Sequence, residues 1–132
     1  MDKHRLESFS DGVFSIVITL LIFTIKMPDV DSHHLVAALL ALLPSLIAYI
    51  LSFLLIGMYW IFHHHSFLYI EKVDGVLLWM NILYLLCISF LPFPTLLMGK
   101  YYGESITVII YGANLLIINI FPVLLIFYLK RK

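Results

Sequence analysis

The side chains of this sequence that could take part in chemistry are few, and most stand in apolar stretches. Asp11, Ser15 and Thr19 recur every four residues, the spacing that places side chains on one side of an α-helix. A carboxylate inside a membrane must face protein or water rather than lipid. Asp11 is therefore either hydrated at the membrane boundary or tied to a cation. Arg5 lies too far back for a direct helical pair.

A second polar group is the run His63–His65, which follows an aromatic stretch. No Asp, Glu or Cys stands beside it at ligand spacing, and adjacent helical residues point about 100° apart. A metal site is therefore not favoured. A histidine that hydrogen-bonds Asp11 or a serine fits better, and histidine can titrate near neutral pH. We expect Asn81 to hydrogen-bond across helices, and Asn114 and Asn119 of the last segment to do likewise.

These side chains include no nucleophile–base pair and no phosphate-binding loop, so the sequence predicts neither an enzyme nor a cofactor. The net charge of zero gives no basic field for nucleic acid. The single Cys87 excludes an internal disulfide framework. The chain is 63% hydrophobic and 12% charged, whereas soluble domains are about 45–50% apolar and about 25% charged. The composition therefore indicates an integral membrane protein.

The charged residues mark the boundaries of the elements that must position these groups. We predict an all-α, polytopic membrane protein, with residues 1–132 forming a single transmembrane domain. The four predicted transmembrane helices cover approximately residues 9–28, 35–62, 75–98 and 105–129. With four spans, both chain ends lie on the same side of the membrane. Six Lys and Arg residues fall on that side and two fall on the other. This asymmetry predicts that both termini face the cytoplasm.

The first apolar segment is short, because Asp11 and Lys26 enclose only the stretch Gly12–Ile25. It could be a signal peptide, with Lys3 and Arg5 as its basic region, but the small-residue cleavage site is missing. A spanning helix from Phe9 to Pro28 is the better interpretation.

The apolar side chains of this helix gather on one face. On a helical wheel with Asp11 at zero, they lie roughly 80° to 180° away. That face holds Ile16, Thr19, Leu20 and Phe23. Lipid contact or helix packing would explain it without any special role.

The opening of this helix carries a more specific pattern, Arg5-x-x-x-Phe9-Ser10-Asp11. Three further stretches accompany it, namely Gly12-Val-Phe-Ser-Ile-Val-Ile-Thr-Leu-Leu, Trp60-x-x-His63-His64, and Asn81 with Leu91-Pro92-Phe93-Pro94-Thr95. Together they resemble the transmembrane protein 175 family, the potassium-permeable channels of lysosomes, bacteria and archaea. The resemblance implies a potassium-selective channel without a conventional filter loop, in a prokaryotic plasma membrane, with potassium, the bilayer and three further copies of the chain as partners.

The resemblance also implies roles for individual residues. The first helix of each subunit would line a fourfold pore, with Ile16 as the hydrophobic constriction and with Leu20 and Phe23 as the next apolar rings. Thr19, with Ser15, would supply hydroxyls for ion selectivity. The signature residues and their partners would brace the first three helices; they are Arg5, Phe9, Ser10, Asp11, Trp60, His63 or His64, and Asn81. The only metal expected is the permeant potassium.

One departure from the family keeps other functions open. The family unit has six helices, whereas four are predicted here, so the chain is either a short member or a truncated one. A non-conducting fragment or accessory subunit is one alternative. A small proton-coupled exporter is another, but it needs an acidic residue near mid-helix, which helices 2 to 4 lack. Proton permeation is a variant of the channel, with His33, His34 and His63–His65 as candidate pH sensors.

Overall fold

A computed structural model describes residues 1–132 and contains helices joined by short connections. The helices are α1 (Lys3–Leu20), α2 (Leu35–Ala41), α3 (Leu43–Leu68), α4 (Gly75–Phe90), α5 (Pro92–Lys100) and α6 (Ser105–Arg131). Short 3-10 turns follow α1 and precede α2, at Leu21–Thr24 and Ser32–His34. Four helical stretches are long and apolar enough to cross a membrane. The predicted all-α, four-span fold is therefore confirmed.

The helix ends differ from the predicted ranges at the start of the chain. The first helix begins at Lys3, since the Asp2 side chain accepts a hydrogen bond from the backbone N–H of His4 and so caps the helix. Its regular part ends at Leu20, and the 3-10 turn extends it to Thr24, before Pro28. About a third of this helix therefore precedes Asp11.

Prolines divide two of the other predicted helices. A proline has no backbone N–H and is tolerated in the first turn of a helix. Pro44 accordingly stands in the first turn of α3, after a break at Leu42, and Pro92 opens α5 after a break at Leu91. Helix α3 then continues through the three histidines to Leu68, where a loop was expected. This places the histidine side chains at successive positions around a helix.

Two apolar clusters hold the bundle together. The larger one combines Phe14 and Val17 of α1, and Leu21 of the 3-10 turn that follows, with buried residues of α3, α4 and α6. The smaller one joins the start of α1 to the end of α3 and the start of α4, and the end of α6 packs against it; its members are Leu6, Phe67, Ile70 and Leu77. Both chain ends therefore lie at the same end of the bundle.

The other end of the bundle is joined by hydroxyl groups and by a close approach of two helices. The Ser52 hydroxyl lies 2.7 Å from that of Thr95 and 2.8 Å from that of Tyr111, which connects α3, α5 and α6. A Cβ atom on Gly99 would lie 2.6 Å from Oγ of Ser45 and 2.7 Å from its Cα. Glycine is thus needed for α3 and α5 to come this close.

Candidate functional site

Helix α1 has two faces with different surroundings. Its buried side chains recur every three or four residues and pack on α3 and α4; they are Leu6, Ser10, Phe14 and Val17, followed by Leu21 and Thr24 in the next turn. The opposite face is left uncovered by the rest of the chain. Ile16, Leu20 and Phe23 are 60%, 46% and 70% exposed there, and Thr19 lies among them. The structure therefore brings together the four residues that the wheel placed on one face.

Two hydroxyls on the uncovered side of α1 bond to their own helix. Ser15 Oγ donates to the Asp11 carbonyl at 2.7 Å. Thr19 Oγ1 lies 3.0 Å from the Ser15 carbonyl and 2.9 Å from the Ile16 carbonyl, so its proton is directed at the backbone. Each hydroxyl oxygen keeps lone pairs that no donor of the chain occupies. This side of α1 can thus offer oxygen ligands to a cation.

The buried face of α1 is tied to α3 and α4 through one amide. Asn81 Nδ2 donates to Ser10 Oγ at 2.9 Å, and Ser10 Oγ donates to the Leu6 carbonyl at 2.8 Å. Asn81 Oδ1 lies 2.8 Å from His63 Nε2, and an amide oxygen only accepts, so His63 carries a proton on Nε2. Ser10, His63 and Asn81 are all buried. We call these three residues the buried triad.

Aromatic rings enclose the imidazole of the buried triad. The His63 ring stacks on Phe67 with centroids 4.4 Å apart and on Tyr84 at 5.9 Å, and the Phe14 ring lies at 5.5 Å. Ring contacts of this kind favour one orientation of the imidazole. The position of Nε2 is therefore set by packing as well as by its hydrogen bond.

A second contact joins α1 to α3 one residue further along. Trp60 Nε1 donates to Asp11 Oδ1 at 2.8 Å, and the Trp60 ring stacks on His64 at 6.1 Å. His64 contacts Asp11 through Trp60 rather than directly. Arg5 forms no ion pair within the chain, and Phe9 is 58% exposed. The structure thus brings together most of the predicted bracing residues and leaves Arg5 and Phe9 outside the contacts.

Sequence reasoning missed two polar contacts and left the partner of a third unnamed. The first missed contact is the hydroxyl cluster of Ser52, Thr95 and Tyr111. The contact without a named partner is that of Asn119, which was expected to bond across helices and donates from Nδ2 to Tyr59 Oη at 3.0 Å. Polar residues within apolar segments were the available signal, but they do not reveal their partners.

The second missed contact lies where both chain ends meet. The Asp74 carboxylate accepts hydrogen bonds from Lys132, from Tyr128 and from the backbone N–H of Leu77. The Lys132 ammonium, followed by the Tyr128 hydroxyl, holds the pKa of Asp74 well below its usual value, and the carboxylate raises the pKa of Lys132. The position of Asp74 directly before a predicted helix indicated that it could cap that helix. It did not indicate the contacts with Tyr128 and Lys132.

The possible pH sensors and metal ligands occupy separate places. His33 and His34 lie in the exposed 3-10 turn before α2, at the opposite end of the bundle from the run His63–His65. No group of three or more His, Cys, Asp or Glu side chains is arranged to hold a metal ion.

The fold and this site define a polytopic helical membrane protein whose first helix exposes hydroxyls along an uncovered apolar face. Comparison with known proteins specifies the class further. The chain belongs to the TMEM175 family, since the family model described as endosomal/lysosomal potassium channel TMEM175 matches residues 5–92. This is a family of ion channels, which confirms both the predicted family and the prediction that the chain is not an enzyme.

Two relatives illustrate the similarity. A potassium channel of Streptomyces collinus is 46% identical over 105 residues, which cover 79% of this chain and 51% of the relative. The endosomal/lysosomal proton channel TMEM175 of Mus musculus is 42% identical over 101 residues, which cover 70% of this chain and 20% of that protein. The chain spans about half the length of the bacterial relatives it matches.

A solved structure has the same fold. It is the crystal structure of a lysosomal potassium-selective channel TMEM175 homolog from Chamaesiphon minutus. The TM-score is 0.88 at 37% sequence identity, and the match covers 93% of this chain and 69% of that chain.

Proposed function

We propose that this chain is a subunit of a potassium-selective cation channel without a conventional filter loop. Four copies assemble around a pore lined by α1, in a prokaryotic plasma membrane with both termini in the cytoplasm. The names of the bacterial relatives and of the solved homolog support potassium as the permeant ion. The excess of Lys and Arg at the end that holds both termini supports the orientation.

The observation on which the proposal rests is the uncovered face of α1. The hydroxyl protons of Ser15 and Thr19 bond to their own helix, but the lone pairs of the two oxygens have no donor, and lipid supplies none. Ser15 and Thr19 nevertheless stand beside Ile16 and Phe23 on the side of α1 that α3 and α4 leave open. A water-filled pore between copies of α1 satisfies both hydroxyls.

Conduction would depend on the apolar side chains of this face. A narrow ring of isoleucine side chains can exclude water and thereby stop ions, and a wider ring lets a partly hydrated ion pass. Ile16 forms that constriction, and Leu20 and Phe23 form further rings beyond it. Oxygen atoms of Thr19 and Ser15 next to the constriction replace part of the water lost by the ion. The weaker hydration of potassium favours it over sodium.

The opposite face of α1 would fix where the pore-lining side chains point. The buried triad and the contact between Asp11 and Trp60 set the rotation of α1 about its own axis. Ile16 stands five residues after Asp11, so that rotation also sets its direction. Within a single chain, Arg5 forms no ion pair and Phe9 is largely exposed. Both side chains are therefore available to contact a neighbouring subunit.

Flux from purified protein in liposomes tests the proposal. With potassium inside and sodium outside, a voltage-sensitive dye should report a potassium diffusion potential. The Ile16→Asn variant should leak more and discriminate less, because a polar ring no longer excludes water. Ile109→Asn is the matched control, since Ile109 is 62% exposed on α6, away from α1. Equal diffusion potentials in wild type and in Ile16→Asn would show that Ile16 does not form the constriction.

The same liposomes separate the other functions. No potential from correctly inserted wild-type protein would indicate an accessory, non-conducting subunit. Proton permeation is a second candidate, supported by the vertebrate relatives that are named proton channels, and a trapped pH dye measures it directly. The small proton-coupled exporter is not favoured, because the chain belongs to a channel family.

A further inference from the structure

A cleft separates α3 from α6 at the end of the bundle that holds both termini. Nearer the middle, the two helices are joined by the hydrogen bond between Asn119 and Tyr59. Beyond that bond, Phe62 and Ser66 of α3 face Leu125 of α6 across an open space, and α4 forms its floor. The two parts of this space share Phe62, Ser66 and Leu125 in their linings, and their cavity volumes are about 50 Å³ for the inner part and 370 Å³ for the outer part. The outer volume is of the order that accommodates small ligands.

The position of the cleft coincides with a proline in α6. Pro122 lines the inner part of the cleft and stands inside a helix, where it donates no backbone hydrogen bond. The carbonyl four residues earlier, on Ile118, therefore lacks its helical partner, and proline at such a position bends a helix. Pro122 therefore stands beyond Asn119, where the cleft begins.

The lining of the cleft is mainly apolar, and its cationic group lies in the outer part. The inner part is bounded mainly by apolar side chains, including Phe67, Leu77 and Met80. The outer part is also mainly apolar but includes His65 and Lys130. Lys130 has no ion-pair partner in the chain, whereas Lys132 is bonded to Asp74. The cleft thus combines an apolar interior with a free cation at its mouth, in the half of the protein that is richer in Lys and Arg.

We propose that this cleft binds one acyl chain of an anionic phospholipid, with the lipid phosphate beside Lys130 and His65. The apolar interior matches a hydrocarbon chain, and the cation at the mouth matches a negatively charged headgroup. Basic pockets between membrane helices on the cytoplasmic side are recognised sites for anionic headgroups. A zwitterionic lipid could insert the same chain, but its phosphate is already paired within its own headgroup.

The bound chain would touch the group that positions α1. His63 and Asn81 line the inner part of the cleft, and Asn81 donates to Ser10 of α1. A hydrocarbon chain in the cleft excludes water from this side of the buried triad, and so protects its hydrogen bonds from competition. The binding of the lipid does not depend on the proposed channel function, so the two can be tested separately.

Native mass spectrometry of the purified protein tests the site. Phosphatidylglycerol and phosphatidylcholine with identical acyl chains are titrated, and the bound fraction of each is compared. We expect phosphatidylglycerol to be retained more strongly by wild type. Lys130→Gln should weaken its retention about fivefold, the effect of one cation near the membrane surface. Ser66→Trp should abolish retention of both lipids, because the indole fills the space shared by the two parts of the cleft.

Matched variants distinguish this site from general lipid contact. Lys100→Gln removes a cation at the opposite end of the bundle, and Ala113→Trp adds an indole to an exposed part of α6 that does not line the cleft. Both should bind phosphatidylglycerol as wild type does. Circular dichroism and thermal unfolding confirm that each variant is folded. Retention unchanged in folded Ser66→Trp, or equal retention of the two lipids by wild type, would overturn the proposal.

Discussion

Trp60 Nε1 donates a 2.8 Å hydrogen bond to Asp11 Oδ1 and thereby joins α3 to the uncovered helix α1. The next residue back, Ser10, is held by Asn81 of α4. Two adjacent residues of α1 are therefore bonded to two different helices. Because neighbouring helical residues point about 100° apart, the two bonds together allow a single rotation of α1.

Removal of the Asp11 carboxylate should destabilise the protein more than its replacement by an amide. Asp11→Ala removes the acceptor of the indole N–H of Trp60, and a typical hydrogen bond contributes about 0.5–1.5 kcal/mol net. Asp11→Asn keeps an oxygen that can accept the bond, so its unfolding temperature should fall less. Thermal unfolding followed by size-exclusion chromatography measures both variants, together with the yield of assembled protein. An Asp11→Ala protein as stable as wild type would argue against a bracing role.

Replacement of both the amide and the imidazole of the buried triad should cost less than the two single replacements added together. Asn81→Leu leaves His63 Nε2–H buried and unpaired, which destabilises by about 1–3 kcal/mol. The double variant His63→Phe/Asn81→Leu removes both polar partners and should be less destabilised than the sum of the two single variants. Chemical unfolding of the four proteins measures this coupling. Additive effects would mean that the two side chains do not interact.

A methyl group at Gly99 should disturb the packing of α5 on α3. Its Cβ would lie 2.7 Å from the Cα of Ser45, so a backbone must shift. Overpacking of this kind costs about 1–3 kcal/mol. Gly112→Ala is the matched control, since nothing lies within 4 Å of its Cβ and alanine favours a helix by up to about 1 kcal/mol. Equal unfolding temperatures for Gly99→Ala and wild type would refute the close approach.

The contact between Asp74 and Lys132 should stabilise the protein over a wide range of pH. A carboxylate with a depressed pKa stabilises the fold above its unfolded-state pKa, near 3.8, and this contribution is lost as the pH falls through the lower folded-state value. The carboxylate raises the pKa of Lys132 above its ordinary value of 10.5, so the stabilisation by this contact persists up to a pH above 10.5. The difference in unfolding temperature between wild type and Asp74→Asn should thus be constant between about pH 5 and pH 9 and shrink in stronger acid. A difference that varies within that range would implicate other groups.

Removal of the Thr19 hydroxyl should change ion discrimination without changing assembly. Thr19→Val preserves the shape of the side chain and removes the oxygen that would face the ion. We expect the diffusion potential with potassium inside and sodium outside to shrink, while the amount of assembled protein stays the same. Thr24→Val is the control, because Thr24 is buried and bonds to the Leu21 carbonyl. A similar loss in both variants would point to a change in structure rather than in selectivity.

The number of membrane-spanning helices could be predicted because stretches without charged residues mark them. The two faces of α1 could be predicted because its polar and apolar residues alternate at helical spacing. The breaks at Leu42 and Leu91 depend on how the chain accommodates Pro44 and Pro92, which spacing alone does not determine. Helix α6 is apolar all round, so its sequence contains no periodicity to indicate which side is buried. For that reason the pairings made by Tyr111 and Asn119 became visible only in the structure.

The polar contacts of α1 with other helices all lie near Ser10 and Asp11. Further along, Val17, Leu21 and Thr24 pack on their neighbours without a side-chain hydrogen bond between helices. Directional bonds fix a position, whereas apolar contacts are non-directional. The bonds at Ser10 and Asp11 are therefore the fixed point about which a tilt of α1 would turn. A small tilt there would move Phe23, about 18 Å further along the helix, more than twice as far as Ile16.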